Sequence, residues 1–420
     1  MAYVSATHNV ARTGALSSRA VRLLLVLTVF AGGFVFIEPS PYEITFLGLF
    51  ACLLIAGLRL LPILAIQILC LVGFNVGGLI ALSLLGIDSK TATYVVVSFY
   101  LALTAIVFAA VVCEDAERAT AIIGRAWIAS GVVVATAGII GYFNVLPGAD
   151  FFTLYGRAKG TFEDPNVYGP FLILPAMLLA QSVLSPTGRR SLISPFLLAL
   201  IVTGLLLSFS RAAWVHLVLS GMCLTYLMVV TSKSNLFRLR IIAMAGLGFV
   251  ACLVLLAGLL SIPSVWEFFQ MRAILVQDYD GGATGRFGTQ LMALPELFSA
   301  PLGLGPHEYG VRFGQDPHNV YLNAFAAYGW LGGIAYFTYV ILTLVLGFRF
   351  VFADVPWQRF FISTLSAFVG LVLVGLVVDT DHWRHFYLLS GLIWGMSAAT
   401  LAEVRFQQHA QPVAAHPALA

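Results

Sequence analysis

Apolar stretches close to the length of a bilayer crossing recur from Arg22 to Ala402, and they leave few folds open. A helix rises 1.5 Å per residue, so about 20 apolar residues cross a ~30 Å hydrocarbon core. Charged residues make up 10% of the chain, far below the ~25% of a soluble domain. The reading is an all-α, polytopic membrane protein. About twelve transmembrane helices are expected, near 22–37, 44–58, 61–86, 92–113, 121–143, 167–184, 192–209, 212–230, 241–260, 319–347, 360–378 and 386–402. One long extracytoplasmic segment, 261–318, separates helices 9 and 10. The apolar run 195–230 would make a helix of about 54 Å, too long for one crossing. Basic clusters flank it, Arg189 and Arg190 before, Lys233, Arg238 and Arg240 after. With both clusters on one side, the run crosses twice and turns near Arg211.

Charge tests this arrangement. Of the 22 Lys and Arg, fourteen fall on the inner side of the expected topology, Arg12 among them, and eight on the outer. The 19 acidic residues divide five inside and fourteen outside. Basic residues favour the cytoplasmic side, so both termini are expected there. The apolar run after Arg22 ends in Glu38-Pro39-Ser40-Pro41 without a small-residue cleavage site, and is read as an uncleaved first helix. Cys52, Cys70, Cys113, Cys223 and Cys252 contain no CxxC pair and read as buried small apolar residues.

The outer cations are then the puzzle, because orientation does not require them. Arg157 and Lys159 lead into the helix that carries Asn166. Either they pair with Glu163 and Asp164 on a solvated loop, or they face a ligand. Arg211 lies close to hydrocarbon, where an arginine costs about 2.5–3.5 kcal/mol, which favours a functional role. His216, deeper in the same helix, reads as a hydrogen-bonded packing residue. The segment 284–310 reads as a short amphipathic helix led by Arg286, then a Gly/Pro turn. A cation at a helix start adds to the positive dipole end and suits an anion. His318 and Asn319 open a long helix. Asn319 is either a cap or a ligand contact, and His318 either a solvated ring or a general base. Asp379, Asp381 and His382 have metal-ligand chemistry but no completing cluster, so they read as solvated acids beside an aromatic belt of Trp383, Phe386 and Tyr387. Arginines gathered at helix mouths suit phosphate. No P-loop or dinucleotide fingerprint is present, so energy resides in an activated substrate or an ion gradient.

Four motifs in order, "KGTFEDPNVYGPFL", "LLLSFSRAAW", "TGRFGTQ…PLGLGPHEYG" and "DPHNVYLNAFAAYGWLGG", resemble the O-antigen ligase and polysaccharide polymerase family over about 155–345. The expected organisation is an inner tail (1–21), N-terminal helices (22–154), this ligase/polymerase-like core (155–345), C-terminal helices (346–402) and a second inner tail (403–420). The resemblance implies transfer of a glycan from an undecaprenyl-diphosphate carrier to an acceptor sugar on the outer face of the bacterial inner membrane. It implies His318, Arg286 and Arg211 as catalytic residues, with Arg157, Lys159, Asn166 and Asn319 binding substrate, and no cofactor or metal. Ala212 stands where family members often have Gly. The implied partners are the lipid-linked glycan, an acceptor glycan or lipid A core, membrane lipids and other polysaccharide assembly proteins, with no nucleic acid. "DTDHWRHFYLLSGLIWG" is more similar to exopolysaccharide repeat-unit polymerases than to lipopolysaccharide ligases. The competing readings are a secondary transporter, against which the absence of matching halves counts, and a flippase for lipid-linked sugars.

Overall fold

The computed structural model describes residues 15–85, 89–185, 193–272, 282 and 285–410. Arg12, Arg189 and Arg190 of the charge count, and most of both tails, lie outside the described residues. The chain runs α1 (Arg19–Ala31), α2 (Pro41–Ile55), α3 (Leu64–Leu85), α4 (Ser89–Glu114) and α5 (Ala116–Tyr142), then a small hairpin, β1 (Thr153–Leu154) and β2 (Arg157–Ala158). It continues with α6 (Pro165–Phe171), α7 (Ile173–Leu184), α8 (Ile193–Leu207), α9 (Arg211–Thr231), α10 (Asn235–Leu260) and α11 (Pro263–Arg272). Then come α12 (Arg286–Ser299), α13 (Glu308–Phe313), α14 (Val320–Phe350), α15 (Gln358–Val374) and α16 (Arg384–Ala410).

Among the described residues, eight helical stretches are long and apolar enough to cross a bilayer, with α6 and α7 forming one of them. The other four expected crossings are shorter: α2, α8 and α15 have 15 to 17 residues and α1 has 13. Local chemistry cuts them. α2 starts at Pro41, ahead of the expected 44, because Ser40 and Glu43 form a capping box across Pro41, and it ends at Ile55, just before Gly57 takes φ 80°. α8 stops at Leu207 because the 195–230 run turns at Ser208–Ser210, where Phe209 takes φ 47° and Ser210 caps α9. The lipid-facing surface is plain on α10, where Leu236, Leu239, Ile242, Leu247, Phe249, Val250, Leu253 and Val254 are all exposed. In water a face that apolar would aggregate; against acyl chains it is at equilibrium.

Side-chain and backbone contacts sort the connections into two ends. At one, Lys233 pairs with Asp354 at 2.6 Å, and Ala15 N–H donates to Glu114. At the other, Val35 bridges Phe162, Val320 N–H donates to Gly375 at 2.9 Å, and Arg384 pairs with Glu43 and Glu38 at 2.7 and 3.0 Å. No described contact among these joins a loop expected inside to one expected outside.

α14 is a broken helix. Gly329 sits at φ 66°, ψ −172°, where any side chain would be strained, and a Cβ there would meet the Leu302 carbonyl carbon at 2.6 Å. The break lets the 300–305 loop enter. Leu304 and Gly305 N–H both donate to Ala326 O, and Trp330 N–H donates to Pro301 O. Irregular backbone at a helix break is tolerated near a membrane when protein groups satisfy it, and here the loop does so. That docking carries α12 and α13 onto α14, so the described part of the long segment from Arg286 on is packed against the bundle.

Candidate functional site

Three of the expected residues meet at the start of α14. Asn319 is the N-cap: its side-chain oxygen accepts from Tyr321 N–H at 3.1 Å and Leu322 N–H at 3.2 Å. His318, one residue earlier, takes φ 47°, an uncommon conformation outside glycine. Arg286 begins α12 as expected and reaches across to donate to His318 O at 3.2 Å and to Val377 O. Gln290, one turn on, donates to Pro317 O at 2.7 Å. The sequence ahead of His318 is thereby held against α12.

The organising group was read wrongly from sequence. Asp379 is no solvated acid: its two oxygens accept the His318 and Asn319 N–H groups at 3.0 and 2.9 Å, and one lies 3.9 Å from His318 Nδ1. Burial first, and the negative charge of Asp381 second, push its carboxyl up to about 7 against the pull of those two N–H bonds. Asp381 is buried, accepting from Tyr94 Oη at 2.9 Å and Asn323 Nδ2 at 3.2 Å, with His382 Nδ1 at 3.1 Å. Burial would raise the Asp381 carboxyl, but the His382 charge and the hydrogen bonds outweigh it and hold it below its ordinary value. Burial would lower His382, and Asp381 more than reverses that. The two form a buried ion pair that pins the 379–383 loop to α4 and α14. Trp383, Phe386 and Tyr387 are likewise buried, packed inside the bundle rather than spread as an interfacial belt. Parity could have found Asp379, since it follows a crossing that ends on the His318 side; Tyr94 and Asn323 carried no sequence signal.

A second group forms around the turn before α9. Arg157 is not on a solvated loop. It is buried, with Nε donating to Ser208 O and Nη2 to Asn166 Oδ1, both at 2.8 Å. Asp164 caps α6 instead, accepting from Asn166 N–H. Lys159 stands apart from this pair, its ammonium 5.2 Å from the Phe151 ring centre. Arg211 is the first residue of α9, three positions past Ser208. His216 Nε2 lies 2.8 Å from Ala367 O, in keeping with a packing role. Since α9 packs along α15, Arg211, about 7.5 Å nearer the helix start, lies level with the last turns of α15. The loop beyond those turns carries Val377, the acceptor of Arg286. Both groups therefore border the same end of α15.

An all-α polytopic membrane protein with arginines, a histidine and buried carboxylates collected at one end of its bundle is the class that fold and site define. Residues 196–337 match the family model described as O-antigen ligase, which bears out the resemblance read from the sequence motifs. The matched stretch holds Arg211, Arg286, His318 and Asn319, whereas Arg157, Lys159, Asn166 and Asp379 lie outside it. The family's chemistry is glycosyl transfer, with a lipid-linked glycan and an acceptor as substrates in general. A comparison with curated proteins finds no match.

Proposed function

We propose that this protein transfers a glycan from an undecaprenyl-diphosphate carrier to an acceptor sugar hydroxyl, at the periplasmic face of the bacterial inner membrane. The observation that carries the proposal is the meeting of Arg286, His318 and Asp379 at the bundle end where Arg157 and Arg211 also lie. His318 is the general base. With Nδ1 turned toward Asp379, Nε2 receives the proton of the acceptor hydroxyl as its oxygen attacks the anomeric carbon. The bond from that carbon to the diphosphate oxygen breaks, and the diphosphate leaves with the electron pair. Asp379 stabilises the imidazolium that forms, and its two N–H bonds fix the backbone that carries the ring. Arg286 and Arg211 stabilise the developing charge on the diphosphate, for which a planar guanidinium fork is suited. Arg157 and Asn166 brace the turn ahead of Arg211, and Lys159 and Asn319 line the approach. The lipid tail lies along the apolar helices. The acceptor is a second carrier-linked repeat in a polymerase, or lipid A core in a ligase.

Membranes containing the protein, given carrier-linked repeats and no lipid A, test this reading. A ladder of lengthened glycan identifies a polymerase, and product only after lipid A is added identifies a ligase. His318→Ala should bind the carrier-linked donor about as well as the parent and form product about 10²–10⁴-fold more slowly. Near-normal product from His318→Gln, which keeps a hydrogen-bonding group without basicity, would end the general-base assignment. Ion-coupled solute uptake into vesicles, with no covalent product, would overturn the whole reading in favour of a transporter.

A further inference from the structure

A cavity of about 170 Å³ lies at the same bundle end, beside the site and separate from the arginines assigned to the diphosphate. It is lined by Gly32, Val35 and Glu38 after α1, by 162–164 and Val167 at the start of α6, and by 382–385 ahead of α16. We propose that it holds one pyranose unit, uncharged or basic, of the acceptor glycan; this rests on the transferase reading above.

Three features point to that ligand. The volume suits a single sugar ring. The walls pair aromatic surface, Phe162 and Trp383, with the carboxylates of Glu38, Glu163 and Asp164, a combination that takes the apolar face of a pyranose on one side and its hydroxyl hydrogens on the other. The charge excludes the alternative: Arg384 is already met by Glu38 and Glu43, and His382 by Asp381. The cavity is therefore net acidic, and a diphosphate would be repelled from it. A further buried polar group lies in the wall, since His385 is 4% exposed and its Nε2 has no hydrogen-bond partner. Glu163 is exposed and the Glu38 side chain is 60% exposed, so the cavity opens toward the aqueous side.

The placement fits an acceptor rather than a donor subsite. His382 stands three residues from Asp379, so their Cα atoms are at most about 11 Å apart, and Asp379 holds His318. A sugar in the cavity therefore lies beside the loop that holds the base, in a pocket whose lining includes neither Arg211 nor Arg286.

The test uses the full chain in nanodiscs and saturation-transfer NMR with glucose, galactose, mannose, glucosamine and N-acetylglucosamine. At least one should receive saturation from the parent. That signal should fall about tenfold in Glu163→Gln and in Trp383→Ala, because each loses a charged hydrogen bond or the stacking face, and it should persist in His318→Gln. Glu163 is exposed, so its variant folds even if Trp383→Ala does not. Absence of saturation from every sugar, or full retention of the signal in Glu163→Gln, overturns the proposal. The measurement involves no turnover, so a failure of glycosyl transfer is seen separately in the ladder assay.

Discussion

Replacing Asp379 by Asn isolates the contribution of its charge to catalysis. One carboxylate oxygen lies 3.9 Å from His318 Nδ1. At that distance two unit charges attract by about 1 kcal/mol in water and about 4 kcal/mol at an effective dielectric of about 20. The His318 side chain is 48% exposed and that of Asp379 24%, so a screened value near 2 kcal/mol is appropriate, a rate loss of about 30-fold. Asn also turns one N–H pair toward a backbone donor, so His318 or Asn319 loses its acceptor. Thermal stability should therefore be recorded alongside the initial rate of transfer from the carrier-linked donor. The pH dependence separates charge from folding. With its carboxyl pushed up to about 7, Asp379 is protonated as pH falls through 7, and the parent's rate should fall with it. Stability moves the other way. The fold favours the protonated carboxyl, so this contribution is fully present below the ordinary carboxyl range and is lost as pH rises toward and through 7. Asp379→Asn should remove the Asp379 step from both profiles. A variant with the parent's rate and pH profile would refute the role assigned to the carboxylate.

Arg211→Lys and Arg286→Lys keep the charge but lose the fork, and each should cut transfer strongly with expression intact; Arg286→Lys at full activity would leave that residue as a charge only. Arg312→Lys should be mild, because Arg312 pairs with Glu296 at the exposed surface of the same segment. A cysteine at Val311, which is exposed on the same segment, should react with an impermeant thiol reagent in cells with a permeabilised outer membrane, and one at Ser234 should not; the reverse pattern would invert the topology. Gly329→Ala should lower the yield of folded protein by placing a Cβ against the 301–302 backbone, and a parent-like melting profile would mean the break in α14 is not required.

The apolar repeats determined the class of fold, because a bilayer leaves a continuous apolar stretch no other stable state than a satisfied helix. The charge distribution placed the connections at two ends, and the motifs around Arg211, Arg286 and His318 located the candidate chemistry, since each is a local pattern of residue types. Three things needed tertiary structure. Arg157 is committed to Ser208 and Asn166, a partnership across 51 residues that loop composition hides behind the nearer Glu163 and Asp164. Asp379 looked like a solvated acid because solvation is the default of an isolated carboxylate after a crossing. Only the return of α15 beside the start of α14 gives it two backbone donors and a histidine. The acidic cavity draws its walls from the segments after α1, before α6 and before α16. Residues hundreds of positions apart meet there because antiparallel crossings return each alternate loop to the same end, and no local pattern in the sequence encodes which of those loops touch.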